Sequence, residues 1–405
     1  MKALFLTNEY PPEIYGGAGV HVEYLSRELS RLMDVEVRSF GGDAGGSDHL
    51  VATGFPARDE MFLRAPQQLK GIFTTLDRCL SFVGAEIDAQ VVHCHTWYTH
   101  MAGIWAKLNY HIPLVLTTHS LEPLRPWKRE QLGHGYDFSC WVEKTAIEMA
   151  DAIIAVSKDT KGDVLKHFSV NPDKIKIIHN GIDTEEFHKV SSTDCIERFG
   201  FDPKKPYLLF VGRITRQKGI IHLVNALPKI NKNLQIVLCA GAPDTPQIAA
   251  EMKESVERVS AIRPGVTWIR EMVDKKTLIQ LYSHAALFCC PSIYEPFGII
   301  NLEAMAGEIP VVGSTVGGIP EVVVDNETGI LVPLQQMQTS PFEPTDPAKF
   351  SSDLADAVNR LAGDEALCRK MGKKGRERVE NHFSWRAIAE QTRDLYQELV
   401  KEWKV

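Results

Sequence analysis

The sequence reads Ala286-Leu287-Phe288-Cys289-Cys290 and, after four further residues, Glu295-Pro296-Phe297-Gly298-Ile299-Ile300-Asn301-Leu302-Glu303. The apolar run predicts a buried β-strand, and Gly298 frees the backbone where a helix should begin. A strand, a glycine loop and a helix in this order are typical of a parallel α/β fold. Because a helix N-terminus offers unpaired N–H groups and a partial positive charge, such a loop suits a phosphate group.

Glu295 and Glu303 bracket this loop. We expect one carboxylate at the loop and the other within the first turns of the helix, where both can accept hydrogen bonds from sugar or ribose hydroxyls. The alternative is a helix-start glutamate beside an unrelated surface one. For an isolated pair that alternative is the more frequent case, since helix N-termini are enriched in acidic residues.

Two further loops favour the ligand-binding interpretation of the two glutamates over the alternative. Arg213 and Lys218 follow the apolar run 207–211. An arginine fork and a lysine point charge after a strand can clamp a diphosphate. The glycines Gly16 and Gly17 separate an apolar run near the start of the sequence from an amphipathic helical pattern. One glycine loop is weak evidence, but three post-strand loops of this kind favour a site for a phosphorylated ligand.

The composition predicts a two-domain globular protein. Its 405 residues exceed what one core usually supports, and 44% hydrophobic with 24% charged residues is ordinary for a globular chain. The net charge of −7 argues against nucleic acid as a partner. Eight scattered cysteines without a Cys-x-x-Cys pair, no signal-peptide core and no run of membrane-spanning length favour a soluble, cytoplasmic protein without a membrane partner.

Short apolar runs alternate with helical patterns in both halves, which predicts two Rossmann-like domains that face each other across a cleft. The predicted strands are residues 3–7, 35–37, 91–94, 114–117, 152–156 and 175–178 in the first half and 207–211, 234–239, 266–269, 286–290, 311–313 and 330–332 in the second. We place the domains at 1–183 and 184–383, with a helix over 384–405 that returns to the first domain. Residues 41–46 and 335–347 are predicted loops.

At this point the chain resembles a family. Arg213 with Lys218, the Glu295 to Glu303 motif, the Gly16-Gly17 loop and Thr118-His119-Ser120 resemble the retaining nucleotide-sugar glycosyltransferases of GT-B fold. The segments 8–13, 95–98 and 124–128 are most similar to the short bacterial glycogen synthases, including those that make maltose 1-phosphate. Tyr15 stands where the longer starch and glycogen synthases carry a lysine.

The resemblance implies a retaining glucosyltransferase that forms α-1,4 bonds in glycogen biosynthesis. Its donor would be a nucleotide-glucose, expected to be ADP-glucose, and its acceptor an α-glucan or glucose 1-phosphate. The catalytic residues would be His119, Arg213, Lys218 and Glu295. The donor would be bound by Gly16, Gly17, Arg213, Lys218, Glu295, Phe297, Gly298, Ile299, Ile300, Asn301 and Glu303. In this family the acceptor hydroxyl attacks on the leaving-group face, so no enzyme nucleophile is assigned.

The neutralisation of the leaving diphosphate should need no metal ion. No Asp-x-Asp pair occurs in the sequence, so Arg213, Lys218 and helix dipoles must stabilise the charge. No cofactor is expected, because the nucleotide-sugar is a substrate. His93 and His95 alternate along a strand, but they lack a further ligand cluster nearby in the sequence and make a poor metal site.

The acceptor site is the least determined. The candidates are Glu9, Tyr98, Glu122, Arg125, Trp127 and Lys128. Arg125, Lys128 and Arg129 form a basic cluster that either is a solvated face or binds an anionic acceptor such as glucose 1-phosphate. Another acceptor (a phosphosugar, a lipid or a small glycoside), a non-catalytic carbohydrate-binding relative and a homodimer all stay open.

Overall fold

The computed structural model describes residues 1–14, 16–41, 45–58, 62, 64–338 and 342–403, except the side chains of residues 67, 68 and 131. Tyr15 and parts of the predicted loops 41–46 and 335–347 lie outside the described residues. The chain forms two compact units, Met1–Gly181 with Trp385–Val405 and Ile182–Ser384. The chain therefore leaves the first unit after Gly181 and returns to it at Trp385.

The first unit is an eight-stranded sheet with helices on its faces. Its elements are β1 Lys2–Leu6, α1 Gly17–Leu29, β2 Asp34–Ser39, β3 Gly46–Ser47, β4 Leu50–Gly54, α2 Gln67–Gly84, β5 Val91–His95, α3 Trp97–Tyr110, β6 Leu114–Thr118, α4 Lys128–Leu132, α5 Gly135–Met149, β7 Ala152–Ala155, α6 Lys158–His167, β8 Ile175–Ile177 and α14 Trp385–Trp403. The strand order is β3-β4-β2-β1-β5-β6-β7-β8, and the pairs are parallel except β3 with β4.

The order of these strands reverses beside β1, because the chain moves outward to β2 and β4 and then returns to β5 on the other side. Ligands of open α/β sheets bind beyond the carboxyl ends of the strands at such a switch point. Glu9 follows β1, His95 ends β5 and His119 follows the neighbouring β6. The fold therefore gathers these three residues at one edge of the sheet.

Helix α14 closes one face of this first sheet. Trp385 stacks on Tyr24 of α1 with an interplanar angle of 5°. Tyr396 is fully buried and hydrogen-bonds His93 Nδ1 on β5 at 2.5 Å. The last described helix is thus a part of the first unit's core.

The second unit is a six-stranded parallel sheet. Its elements are β9 Tyr207–Arg213, α7 Ile220–Ala226, β10 Gln235–Gly241, α8 Pro246–Ser260, β11 Val266–Ile269, α9 Lys275–His284, β12 Leu287–Cys290, α10 Ile299–Ala306, β13 Val311–Ser314, α11 Ile319–Val322, β14 Gly329–Val332, α12 Pro347–Ala362 and α13 Glu365–His382. The order β11-β10-β9-β12-β13-β14 reverses between β9 and β12. The loops that carry Lys218 and Glu295 therefore follow the two strands that flank the switch point.

Every predicted strand is found, with its ends within two residues of the prediction. The prediction missed β3 and β4, and Gly46 lies in a strand rather than in a loop. Strand β4 has one buried position, Ala52, between exposed Val51 and Thr53. A strand of this kind, next to the short edge strand β3, lacks the continuous apolar run by which buried parallel strands are recognised.

No helix within the described residues is both long and apolar enough to cross a lipid bilayer. The cysteines Cys94, Cys239, Cys289 and Cys290 are free thiols buried in strands, as the sequence predicted.

We expect Tyr396→Phe to destabilise the first unit by about 1–3 kcal/mol, because it removes the hydroxyl that bonds His93 inside a core. Tyr110→Phe is the matched control, since Tyr110 bonds the Val83 carbonyl at a partly buried position and should cost less. Urea unfolding followed by circular dichroism measures both changes. Equal losses in the two variants would contradict a special role for the His93 contact.

Candidate active site

The contact between Lys218 and Glu295 joins the two loops at the switch point of the second unit. Lys218 Nζ lies 2.7 Å from Glu295 Oε2, and the side chains are 18% and 7% exposed. The Ser292 hydroxyl donates a second hydrogen bond to the same carboxylate oxygen at 2.9 Å. The sequence predicted both charged residues for one site, and the structure brings them into direct contact.

A glycine pair holds the backbone of Glu295. The Gly318 N–H donates to the Glu295 carbonyl at 2.9 Å. Gly317 has φ +56°, and a Cβ atom there would lie 1.9 Å from the same carbonyl oxygen. Only glycine fits this position, because a side chain would meet rigid backbone. The Glu295 loop is thus held at both its side chain and its carbonyl.

Arg213 lies at the end of β9 and has an acidic partner that the sequence analysis missed. Arg213 Nη1 donates to Asp244 Oδ1 at 3.1 Å. Asp244 is 7% exposed and follows β10, whereas the arginine is 36% exposed. The sequence offered one signal for this contact: Asp244 is an acidic residue that follows β10, the strand next to β9. Because the Arg213 guanidinium is more exposed than Asp244, its N–H groups can also donate to a second anion.

Glu303 lies in α10 with its carboxylate buried. Tyr282 donates its hydroxyl to Glu303 Oε2 at 2.9 Å. Burial raises the pKa of Glu303 to about 7, and the tyrosine hydrogen bond opposes that rise. A carboxyl group with this pKa is only partly ionised at neutral pH, which leaves its charge sensitive to a bound hydroxyl donor.

The residues between the two glutamates have different surroundings. Gly298 caps α10 in the left-handed region, with φ +92°. Phe297 packs in the core against Phe383, and Ile299 is buried, so both can offer a ligand little beyond backbone atoms. Ile300 is half-buried. Asn301 is fully buried, and within the described residues its side-chain amide has no hydrogen-bond partner.

In the first unit the glycine loop at α1 faces an acid of the same unit. Helix α1 begins at Gly17 with Gly16 as its N-cap. A Cβ atom on Gly16 would lie 3.3 Å from the Glu9 carboxylate, and one on Gly19 would lie 2.9 Å from it. The Glu9 side chain therefore packs against the start of α1, where a carboxylate is stabilised by the helix dipole.

His119 lies in a group of imidazoles. Its Nε2 is 3.0 Å from His95 Nδ1, and its ring is 4.6 Å from that of His21. Burial lowers the pKa of His119 well below its ordinary value, and the neighbouring histidines lower it further. His119 is therefore neutral at pH 7, which fits a hydroxyl-binding role rather than that of a cation.

The predicted basic cluster divides in the structure. Lys128 Nζ is buried and bonds Glu122 Oε1 at 2.6 Å, so its charge is already paired. Arg129 forms an exposed ion pair with Asp137. Arg125 bonds Ser120 through Nη1 at 3.2 Å, and its Nε has no partner within the described residues. Arg125 is thus the best candidate of the three for an anionic acceptor.

Glu122, another acceptor candidate, is buried in a hydrogen-bond network. Ser139 donates to Glu122 Oε2 at 2.7 Å. Glu143 Oε2 accepts the Glu122 backbone N–H at 2.7 Å, and burial raises the pKa of Glu143 well above its ordinary value. Tyr98 stacks on Trp97 and lies 5.6 Å from Lys128 Nζ. Trp127 is 6% exposed and therefore mainly a core residue.

Comparison with known proteins places the chain in a class. Residues 15–186 match the model of Glycosyltransferase Family 4, and residues 192–340 match that of Glycosyl transferases group 1. Together the two models cover most of the chain, and the chain belongs to this family of GT-B glycosyltransferases. The resemblance seen in the sequence motifs and the predicted fold class are confirmed.

Within that class the chain is similar to alpha-maltose-1-phosphate synthase of Mycolicibacterium smegmatis, with 46% identity over 98% of this chain and 100% of that protein. The sucrose-phosphate synthase structure from Thermosynechococcus elongatus has a TM-score of 0.80 at 26% identity and covers 99% of this chain and 100% of its own. The catalytic domain of starch synthase IV from Arabidopsis thaliana, bound to ADP and acarbose, has a TM-score of 0.74 at 17% identity, with 99% of both chains covered.

The raised pKa of Glu303 predicts a pH-dependent stability. A carboxyl group with a folded pKa of about 7 stabilises the fold fully below its unfolded value of 4.5 and loses that stabilisation as pH rises to 7. We expect Glu303→Gln to be more stable than the unmodified chain at pH 8 by up to about 3 kcal/mol, and equally stable near pH 4.5. Thermal unfolding at both pH values measures this, and a constant difference between the proteins would contradict it.

Replacement of the two cations should separate chemistry from folding. We expect Arg213→Ala and Lys218→Ala each to lower turnover by about a hundredfold or more, if both stabilise charge on a leaving diphosphate as the sequence analysis predicts. Lys218→Ala should also lower the unfolding temperature, since it leaves the buried Glu295 unpaired. The double variant Lys218→Ala, Glu295→Gln should recover that stability without recovering turnover. Near-normal turnover in both single variants would reject the site.

Proposed function

We propose that this chain is a retaining glucosyltransferase that moves glucose from ADP-glucose to glucose 1-phosphate and forms maltose 1-phosphate with an α-1,4 bond. The observation that carries the proposal is the 46% identity, over almost the whole chain, to a protein named for making maltose 1-phosphate. The paired loops at the β9/β12 switch point support it, since they offer two cations and two carboxylates to a nucleotide-sugar.

The proposed reaction exchanges one bond to the anomeric carbon for another. The bond from C1 of the donor glucose to the β-phosphate oxygen breaks, and the bond from C1 to O4 of the acceptor forms. The O4 proton passes to the leaving phosphate oxygen on the same face of the sugar, so the configuration at C1 is retained. ADP and maltose 1-phosphate are the products, and no protein nucleophile takes part.

We assign the donor to the second unit. The guanidinium of Arg213 and the ammonium of Lys218 bind the diphosphate and stabilise the charge that develops on it. Glu303 accepts hydrogen bonds from the ribose hydroxyls, and Glu295 with the Gly298 to Asn301 segment binds the glucose. The amide of Asn301, which has no partner in the described part of the chain, can donate to and accept from such a ligand.

The role that we assign to His119 is to bind hydroxyls of the transferred glucose. Its contact with His95 fixes the ring, and its neutral state lets it donate or accept without adding charge. We assign the phosphate of the acceptor to Arg125, whose ion pair with Glu122 Oε1 is long, at 3.9 Å, because that oxygen lies much closer to Lys128 Nζ, at 2.6 Å. Gly16 and Gly17 remain candidates for the donor phosphates through their backbone N–H groups.

A donor and acceptor panel tests the function. The purified chain is given ADP-, UDP- or GDP-glucose with glucose 1-phosphate, glycogen, a lipid-linked sugar or a small glycoside, and nucleoside diphosphate release is measured together with product linkage and anomeric configuration. Maltose 1-phosphate from ADP-glucose with α-1,4 linkage supports the proposal. Elongation of glycogen alone would make the chain a polymer synthase, and no release with any pair would indicate a non-catalytic relative.

Arg125→Ala tests the acceptor assignment. We expect the KM for glucose 1-phosphate to rise about 10- to 100-fold with little change for ADP-glucose, since a charge-assisted contact contributes about 1.5–3 kcal/mol. Arg129→Ala is the matched control, because that arginine already pairs with Asp137 at the surface, and it should leave both constants unchanged. A similar rise in the two variants would count against a specific phosphate contact at Arg125.

Chelation tests the charge argument. Because Arg213 and Lys218 are proposed to neutralise the diphosphate, turnover should persist after exhaustive treatment with EDTA. The measurement compares initial rates before and after treatment, and then with added magnesium or manganese. A loss that either ion restores would show that a divalent ion shares this role.

A further inference from the structure

Three histidines from separate elements of the first unit converge on one point. His21 comes from α1, His95 from the end of β5 and His119 from the loop after β6. One ring nitrogen from each lies within 4.8 Å of the other two. His21 and His95 are 1% and 0% exposed, so their polar nitrogens were removed from water by folding.

These imidazoles have nitrogen lone pairs to offer. His21 Nδ1 is 2.6 Å from Asn180 Oδ1, an acceptor, so Nδ1 carries the proton and Nε2 carries a lone pair. His21 Nε2 is buried without a hydrogen-bond partner within the described residues. Burial lowers the pKa of His21 to about 4, so the ring is neutral at physiological pH. A buried lone pair without a donor is costly unless something binds it.

The other two members are already at the spacing of metal ligands. His95 Nδ1 and His119 Nε2 are 3.0 Å apart. Two nitrogens bound to one zinc ion at 2.0–2.1 Å in tetrahedral geometry lie about 3.3 Å apart. His95 Nε2 is buried without a partner in the described part of the chain, so it can take up the proton that Nδ1 gives up on metal binding.

We propose that His21, His95 and His119 form a binding site for one divalent transition metal ion of the zinc type. Three neutral imidazoles are a known ligand set for such ions, with a water molecule or anion as the fourth ligand. His21 ligates through Nε2, and Asn180 acts as the outer partner that orients the ring, as metal-bound histidines require. The ligand nitrogens, which lie within 4.8 Å of one another, have to close by up to about 1.5 Å, which side-chain rotations supply.

This site differs from the His93 and His95 pair considered from the sequence. Both His93 nitrogens are engaged, Nδ1 with Tyr396 and Nε2 with Thr117 at 2.7 Å, so His93 has no lone pair to offer. The missing ligands for His95 come from α1 and from the loop after β6, which are distant in the chain. Sequence spacing therefore hid a cluster that the sheet topology assembles.

The site has an entry path and a consequence for activity. His119 is only partly buried, so an ion can reach the cluster from its side. Resting on the proposed function, in which His119 binds the transferred glucose, an ion at this site would take His119 away from the sugar. The ion would then inhibit transfer, whereas the proposed chemistry itself uses none.

Cobalt spectroscopy tests the binding directly and needs no activity. The purified full chain is freed of metal with a chelator, desalted and titrated with Co²⁺, whose four-coordinate complexes absorb far more strongly in the visible than its octahedral ones. We expect strong visible bands that saturate at one ion per chain and are displaced by Zn²⁺. A spectrum with only weak octahedral bands would overturn the proposal.

Three variants locate the ion. His21→Ala should abolish the bands, and Asn180→Leu should weaken Co²⁺ binding by about 10- to 100-fold. His100→Ala is the matched control, because His100 is equally buried and both its nitrogens lack partners within the described residues, yet it is outside the ligand group. Thermal unfolding checks that all three fold. Bands that persist in His21→Ala, or that are lost equally in His100→Ala, would overturn the assignment.

Transfer assays then separate this proposal from the proposed function. Zinc should slow glucose transfer by the unmodified chain and not by His21→Ala. Metal binding without inhibition would support the ion site and reject His119 as a sugar ligand. If the chain transfers no sugar at all, the cobalt spectra still decide whether the ion site exists.

Discussion

The candidate donor site depends on one partly buried ion pair, the contact of Lys218 with Glu295. Both groups lose water on folding, which costs several kcal/mol unless other hydrogen bonds compensate. Ser292 supplies one such bond to the carboxylate, and the carbonyl of Glu295 accepts the Gly318 N–H. Glu295 is thereby held through both its side chain and its backbone carbonyl. Its ion pair with Lys218 also joins the loop after β12 to the loop after β9.

The same pairing sets the conditions for ligand binding. Lys218 and Arg213 each lie beside a carboxylate of the second unit, from Glu295 and Asp244. An incoming diphosphate must therefore compete with these carboxylates for the two cations. A single weak anion gains little binding free energy by displacing a carboxylate. A ligand that also donates hydroxyls to the glutamates gains binding free energy at the cations and at the carboxylates. This competition favours a nucleotide-sugar over free phosphate.

The sequence was sufficient for much of this arrangement. Buried parallel strands appear as continuous apolar runs, and the carboxyl ends of such strands share one edge, so Arg213, Lys218 and Glu295 could be expected near one another. Ion pairs between residues that only the packing brings together could not be predicted from the sequence. Asp244 comes from a third loop, and Lys128 turns inward to Glu122, because pairing a buried carboxylate outweighs exposure of the ammonium. No spacing in the sequence encodes those choices.

The position of α14 has a consequence for how the chain is made. Tyr396 and Trp385 complete the first unit's core, yet they follow the whole of the second unit in the chain. During synthesis the second unit, which is continuous, has all its residues available while the first still lacks a helix against β5 and α1. The unit translated first therefore completes its core later, because an apolar face stays uncovered until α14 has left the ribosome.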